Sequence, residues 1–217
     1  MLKIGVLASG NGSNFQAILD AVKAGKIKAE IKVLISDKQN AFALERARKN
    51  GIEALHMGTK SFPSMDDYFV AVASELKKRD IGLVLLAGFM RIVKSPLLDA
   101  FPWKVMNIHP ALLPSFPGLH GQKQAADYGA KISGCTVHFV DTGMDTGPVI
   151  IQAAVACNAE DTEETLSARI LKYEHIIYPE AVRLFAEGKL EVKGRKVIIK
   201  GDNPPSSDAL ISPPIKI

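Results

Sequence analysis

Asn107-Ile108-His109-Pro110 places an amide and an imidazole two residues apart at the end of an apolar run. Lys104 to His109 reads as a short buried strand, and Pro110, which has no backbone donor, ends it. Residues i and i+2 of a strand face the same side, so Asn107 and His109 are expected to look into one cleft. An amide donor beside a protonatable imidazole suits the oxygen of a tetrahedral acyl intermediate and the protons that move around it. Downstream, Asp141-Thr142-Gly143-Met144-Asp145-Thr146-Gly147-Pro148 puts a carboxylate on a glycine-rich loop, where Asp145 would keep His109 oriented and protonated. Taken alone, Asn107 and His109 read equally well as buried polar groups satisfied within a core. Two further loops shift that balance.

The first is Ser9-Gly10-Asn11-Gly12-Ser13-Asn14, between an apolar strand and a helix. A helix N-terminus offers free amides and positive partial charge, and flanking glycines let a phosphate approach the backbone. A dinucleotide fingerprint would place its third glycine where Phe15 stands, so a terminal phosphate monoester fits better than a dinucleotide. A tight turn with a good helix cap remains the alternative. The second is Leu86-Ala87-Gly88-Phe89-Met90-Arg91-Ile92-Val93, running off another apolar strand. Its backbone amides with Met90, Ile92 and Val93 would line a slot for a flat ring, or the apolar side chains simply pack beneath the sheet. Ligands of open parallel sheets bind beyond the carboxyl ends of the strands, and both loops and the Asn107–His109 pair fall there.

The elements that must position these residues follow from periodicity. Apolar strands are expected at residues 2–8, 30–36, 52–55 and 81–87, alternating with helices beginning near Ser13, around 41–50 and over 66–79. Phe15, Ile18, Leu19 and Val22 form one stripe, and Ser13 and Gln16 have capping-box spacing. Continuous apolar strands alternating with amphipathic helices predict an α/β fold: a Rossmann-like, open, mostly parallel twisted sheet with helices on both faces. After residue 130 the rhythm changes. Residues 136–140 and 148–157 read as antiparallel additions flanking the Asp145 loop. Residues 163–187 read as helical despite Pro179, and 190–199 as a closing hairpin. The expected division is a catalytic domain over 1–200 and a Pro/Ser-rich surface-draped or disordered tail over 201–217.

The composition of the 217 residues, 47% hydrophobic and 23% charged, is that of an ordinary globular chain large enough for a full core. The net charge of +4 suits anionic substrates or simply a mildly basic surface, and no aromatic–basic interleaving points to nucleic acid. No stretch reaches the ~18 apolar residues of a membrane span. Cys135 and Cys157 form no CxxC and sit among apolar neighbours, which reads as reduced core thiols of a cytoplasmic protein, not a metal site or disulfide.

Taken in order, the Ser9–Asn14 loop, Leu86-Ala87-Gly88-Phe89-Met90-Arg91-Ile92 and Asn107-Ile108-His109-Pro110-Ala111-Leu112-Leu113-Pro114 form a recognisable series. Pro117-Gly118-Leu119-His120, Thr136-Val137-His138-Phe139-Val140, Asp145-Thr146-Gly147-Pro148-Val149-Ile150 and Glu174-His175 complete it. From residue 1 to about 190 the chain resembles the folate-dependent phosphoribosylglycinamide formyltransferases of purine synthesis. The resemblance implies formyl transfer from 10-formyltetrahydrofolate, as co-substrate, to the amine of glycinamide ribonucleotide, with no metal. It implies a catalytic trio of Asn107, His109 and Asp145. Asn11, Gly12, Ser13 and Asn14 would hold the ribose phosphate, and Glu174 would reach the glycinamide substrate, although by itself Glu174 reads equally as a solvated helix carboxylate. Met90, Arg91, Ile92, Val93, Asn107, Asp141, Thr142, Gly143, Met144 and Asp145 would border the folate. Partners would be these small molecules, without nucleic acid or membrane, in a monomer or homodimer.

Two positions depart from that pattern. Met65 stands where family members often carry an arginine that meets the folate glutamate tail, which leaves Lys60 or another base for that contact. Leu171 occupies a position where some relatives have a polar phosphate contact, and Lys172 points about 100° away around the helix. Among the other histidines, His56 is expected at a loop or strand end, His120 and His138 in support of the cleft, and His175 in the core or behind the site. A methionyl-tRNA formyltransferase would add a carboxy-terminal nucleic-acid domain, and a formyltetrahydrofolate hydrolase a preceding regulatory one; neither is expected here. A nucleotide-binding module with Asp37 on a ribose is the rival of a different class, and Phe15 argues against it.

Overall fold

The computed structural model describes residues 1–201 and the backbone of 211–212. The chain forms two compact units, Met1–Asn107 and Ile108–Ile217, whose boundary falls inside one strand. The first contains β1 (Leu2–Leu7), β2 (Ala29–Ser36), β3 (Glu53–His56), β4 (Leu83–Leu86) and the start of β5 (Val105–His109). They lie in the order β3-β2-β1-β4-β5, and every pair is parallel. The wholly apolar run Leu83–Leu86 is buried along its length, as a strand covered on both faces must be. Parallel neighbours cannot be joined by a tight turn. Helices α1 (Ser13–Lys23), α2 (Phe42–Lys49), α3 (Met65–Lys77) and α4 (Ser95–Ala100), with a 3-10 turn over Thr59–Ser61, make the connections.

Strand order reverses at β1, which has β2 on one side and β4 on the other. The chain leaves β1 and β4 toward connections on opposite sides, and such a switch point opens a crevice at the strand ends. The loops after these strands do meet: Ser9 N donates to Gly88 O over 3.0 Å, and Met90 N donates to Ser9 Oγ over 2.9 Å.

Helix α1 buries Phe15, Ile18 and Leu19 as its stripe predicts, and it starts at Ser13. The expected Ser13–Gln16 capping box is absent. Gly12 is the cap, in the left-handed region at φ 76°, with no side-chain cap bond, while Gln16 N donates to Gly12 O and its amide turns to Asp20. Glycine reaches that conformation without a Cβ penalty, so Ser13 is already inside the helix.

The second unit contains α5 (Gly121–Tyr128), β6 (Ile132–Phe139), β7 (Val149–Ala156), α6 (Glu163–Ala186), β8 (Leu190–Lys193) and β9 (Lys196–Ile199). Its strands lie β6-β7-β9-β8, antiparallel except for β7 with β9, and the two-residue β10 (Ile211–Ser212) pairs antiparallel with β7. The architecture is therefore the expected mostly parallel α/β sheet with antiparallel strands toward the C-terminus. Helix α6 starts at a Thr162/Thr165 capping box and continues through Pro179. The expectation for the tail lies, apart from residues 201 and 211–212, outside the described residues.

Helices α4 and α5 were not anticipated. The first is six residues long with a proline in its first turn, and the second buries only Gly121 and Ala125, too few for a helical period to show. Strand β6 also begins earlier than expected, because Ser133 and Gly134 are buried in it despite their weak strand propensity. Gly134 allows β6 to close on β7: a Cβ there would lie 1.9 Å from the Ala153 carbonyl oxygen. Gly134→Ala is expected to cost at least about 1–3 kcal/mol. The check is urea unfolding, with a lower midpoint at an unchanged slope.

Candidate active site

In the first unit, the loop after β1 is built against α2. Arg46 donates from Nε to Asn11 O (2.9 Å) and from NH2 to Asn11 Oδ1 (2.8 Å), and Ala43 N donates to Gly10 O (3.0 Å). A Cβ on Gly12 would meet Ala43 Cβ at 2.7 Å, so this glycine is needed both for its positive φ and for close approach. The result is a fixed backbone turn, with Gly10 and Asn11 exposed and Asn14 buried, leading directly into the amides of the first turn of α1. An anion is the ligand such an end attracts.

The loop after β4 is fastened to the same region through a buried carboxylate. Asp37, just past β2, accepts from Ser9 Oγ at 2.6 Å and from Arg91 Nε at 2.8 Å, and its side chain is 0% exposed. The rival nucleotide-binding reading places Asp37 on a ribose. Its carboxylate faces inward and is already spent on Ser9 and Arg91, which removes that role. Met90 and Ile92 stand 59% and 54% exposed, whereas Val93 is buried. Two large apolar side chains in solvent beside a fixed backbone offer a surface for an apolar ligand.

In the second unit, His109 ends β5 with its ring buried. Its Nδ1 lies 3.4 Å from Asp145 Oδ2, and its Nε2 donates to the carbonyl of Phe116 at 2.8 Å. Asp145 Oδ2 also accepts from Gly118 N at 2.8 Å. Both ring nitrogens thus face acceptors, an arrangement that the doubly protonated imidazole satisfies on both sides. Asp145 is itself left-handed at φ 53°. Its loop is shaped by Asp141 Oδ1, which accepts from Gly143 N and Thr146 Oγ1, and by Gly147, whose Cβ would fall 1.7 Å from Phe139 O. Asn107 lies two residues before His109 on β5, half-buried and in register with Leu86 of β4.

His138, on β6, donates from Nδ1 to Phe139 O and places Nε2 3.8 Å from Asp145 Oδ1, so it lies beside the His109–Asp145 pair. His120 does not. Its side chain is 67% exposed and reaches Glu163 at 3.1 Å, because its left-handed backbone at the start of α5 turns the ring to the surface. His56 ends β3, as expected. Glu174 is buried on α6, which excludes the solvated-carboxylate reading. Met65 opens α3 half-buried with Lys60 exposed, and Leu171 and Lys172 are both exposed. The Phe116 carbonyl and Gly118 amide were missed, since backbone groups carry no residue-type signal; Pro117-Gly118 marks only a turn. The bonds of Ser9 to Asp37 and Met90 and of Arg46 to Asn11 carry no local signal, because the partners are distant in sequence. Among the described residues there is no cluster of His, Cys, Asp or Glu able to hold a metal, and no helix long and apolar enough to cross a membrane.

A family profile described as formyl transferase matches residues 2–182. The phosphoribosylglycinamide formyltransferase of Escherichia coli (strain K12) is 41% identical over 204 residues, covering 94% of this chain and 96% of that protein. The trifunctional purine biosynthetic protein adenosine-3 of Drosophila pseudoobscura pseudoobscura is 47% identical over 190 residues, or 87% of this chain, and the chain spans 14% of that insect protein. Among solved structures, glycinamide ribonucleotide transformylase 1 from Symbiobacterium toebii matches with a TM-score of 0.91 at 53% identity, covering 92% of this chain and 94% of that one.

Burial draws the pKa of His138 below 6.5, against the opposing pull of the Phe139 carbonyl and Asp145. Below pH 6.5 the unfolded chain therefore binds more protons at this site than the native one. The stability this neutral ring contributes is complete above 6.5 and is lost as pH falls through the native pKa. Replacing His138 by Gln should flatten that dependence. Urea midpoints at about pH 7.5 and about pH 5 should differ less in the variant than in the parent, and equal differences would contradict the assignment.

Proposed function

This chain belongs to the formyl transferase family, and from that premise we propose that it moves the formyl group of 10-formyltetrahydrofolate to the primary amine of glycinamide ribonucleotide in purine synthesis. The observation that carries the reading is the buried His109 ring set between Asp145 and a backbone carbonyl, two residues after Asn107 on one strand. The neutral amine attacks the formyl carbon and the carbonyl electrons collect on oxygen. The Asn107 amide and a His109 N–H hold that oxyanion. The Nε2 hydrogen serves once the substrate oxygen replaces the Phe116 carbonyl, while Asp145 keeps Nδ1 oriented and balances the imidazolium charge. The oxyanion then collapses, the C–N bond to the folate breaks, and a proton from the attacking nitrogen ultimately reaches the departing folate nitrogen. A primary amine needs no nucleophilic Ser or Cys ahead of it.

In this reading Asn11, Gly12, Ser13 and Asn14 receive the ribose phosphate and Glu174 the glycinamide end. Met90 to Val93 and Asp141 to Asp145 border the folate, and the chemistry belongs to residues 1–200. Two buried free cysteines suit a cytoplasmic setting. The high identity to the E. coli and S. toebii proteins over nearly their whole lengths supports the substrate pair.

A coupled assay with glycinamide ribonucleotide and 10-formyldideazafolate tests the reading. His109→Ala should cost ~10²–10⁴ in turnover and Asp145→Asn a similar amount. The double variant should be hardly worse than either single one, because the two act as a unit. Near-normal turnover in His109→Ala would end the mechanism. Comparable formylation of charged initiator tRNA would overturn the substrate assignment. Ser13→Asp sets a carboxylate at the phosphate loop and should raise the KM for glycinamide ribonucleotide at least about tenfold, with little change for the folate. Equal effects on both substrates in a folded variant would move the phosphate elsewhere.

A further inference from the structure

The Asp37 carboxylate gathers the loops that follow three adjacent parallel strands. It lies just past β2, accepts from Ser9 in the loop after β1, and pairs with Arg91 in the loop after β4. Ser9 extends the network, because its hydroxyl also accepts from Met90 N. One buried anion thus joins the turn that leads into α1 to the backbone that carries Met90 and Ile92. Core packing does not call for this arrangement: Gly10, Asn11, Met90 and Ile92 are exposed, and the Arg91 side chain is 34% so. Burying a carboxylate costs solvation that an ion pair offsets only with good geometry, and its recurrent use is to fix one arrangement among several. Here the arrangement fixed is the register of the loop 88–93 against the loop 9–14.

We propose that Asp37 is a positioning residue, acting through Arg91 and Ser9 to hold the folate-bordering loop in register with the phosphate loop. This rests on the substrate reading above. Asp37 touches neither substrate; it sets where the groups that do so stand. Binding of both substrates, and not the chemical step at His109, is then what it controls.

Asp37→Asn keeps the size of the side chain and an acceptor for Ser9 but removes the charge that holds Arg91. It should raise the KM for both 10-formyldideazafolate and glycinamide ribonucleotide by roughly three- to tenfold, with kcat within about twofold of the parent. A merely structural carboxylate would instead lower the melting temperature and the active fraction while leaving both KM values unchanged, and that result would overturn the proposal. The double variant Asp37→Asn/Arg91→Met should be no worse in folate KM than the poorer single variant, and multiplicative losses would also overturn it. If Asp37→Asn does not fold, Ser9→Ala removes one hydroxyl from the same network and should raise both KM values about two- to fivefold, with unchanged values counting against the proposal. A parent enzyme without formyl transfer would defeat the substrate reading and this proposal together. An active parent with unaffected variants would defeat the proposal alone.

Discussion

The first unit depends on β1 being hydrogen-bonded along both edges. Leu2–Leu7 pairs in parallel with β2 and with β4, and its last four residues are buried. A buried backbone cannot turn to water, so the two ladders must satisfy it. Parallel ladders in turn forbid short hairpins, and right-handed crossovers carry α1 and α3 to opposite faces of the sheet. The loops leaving β1 and β4 are thereby brought to one edge and held apart at their far ends. The turn after β1, the exposed Met90 and Ile92 and the Asp37 network are all consequences of that single reversal of strand order.

Two carboxylates, one fully and one partly removed from solvent, organise the rest. Asp37 in one unit and Asp145 in the other are each met by donors from segments far away in sequence: Ser9 and Arg91 for the first, Gly118 N and the His109 ring for the second. An unpaired buried charge is too costly to persist, so the fully buried Asp37 dictates where its donors stand, while the half-buried Asp145 is held between its own. Backbone shape makes this possible. Asp145 and Phe116 are left-handed although neither is glycine, and Gly147 admits the Phe139 carbonyl where any Cβ would collide. Sparsely populated backbone at such sites persists because the surrounding contacts over-determine it.

Where sequence reasoning succeeded, the signal was local. The Phe15, Ile18 and Leu19 stripe, the unbroken run Leu83–Leu86 and the hairpin over residues 190–199 each express a short-range period. It failed where local signals compete or are silent. Ser13 and Gln16 have capping-box spacing, yet Gly12 ends the turn because α2 packs against it. His120 sits in a motif-rich segment, yet its ring points to Glu163. Asp37 has the position of a ribose ligand, yet Arg91, distant in sequence, takes its charge.

By itself the sequence determined the α/β class, the alternation of strands and helices, and the same-strand spacing of Asn107 and His109, because each depends on residue periods of two or 3.6 that are written locally. Only the tertiary structure decided which polar groups meet. The Asp145–His109 pairing that the sequence suggests is met at 3.4 Å, but the Gly118 amide on Asp145, the burial of Glu174 and the joining of the β1, β2 and β4 loops through Asp37 depend on contacts between residues tens of positions apart. Such contacts follow from strand order and from the requirement that buried charges find partners, and neither appears in any short stretch of the chain.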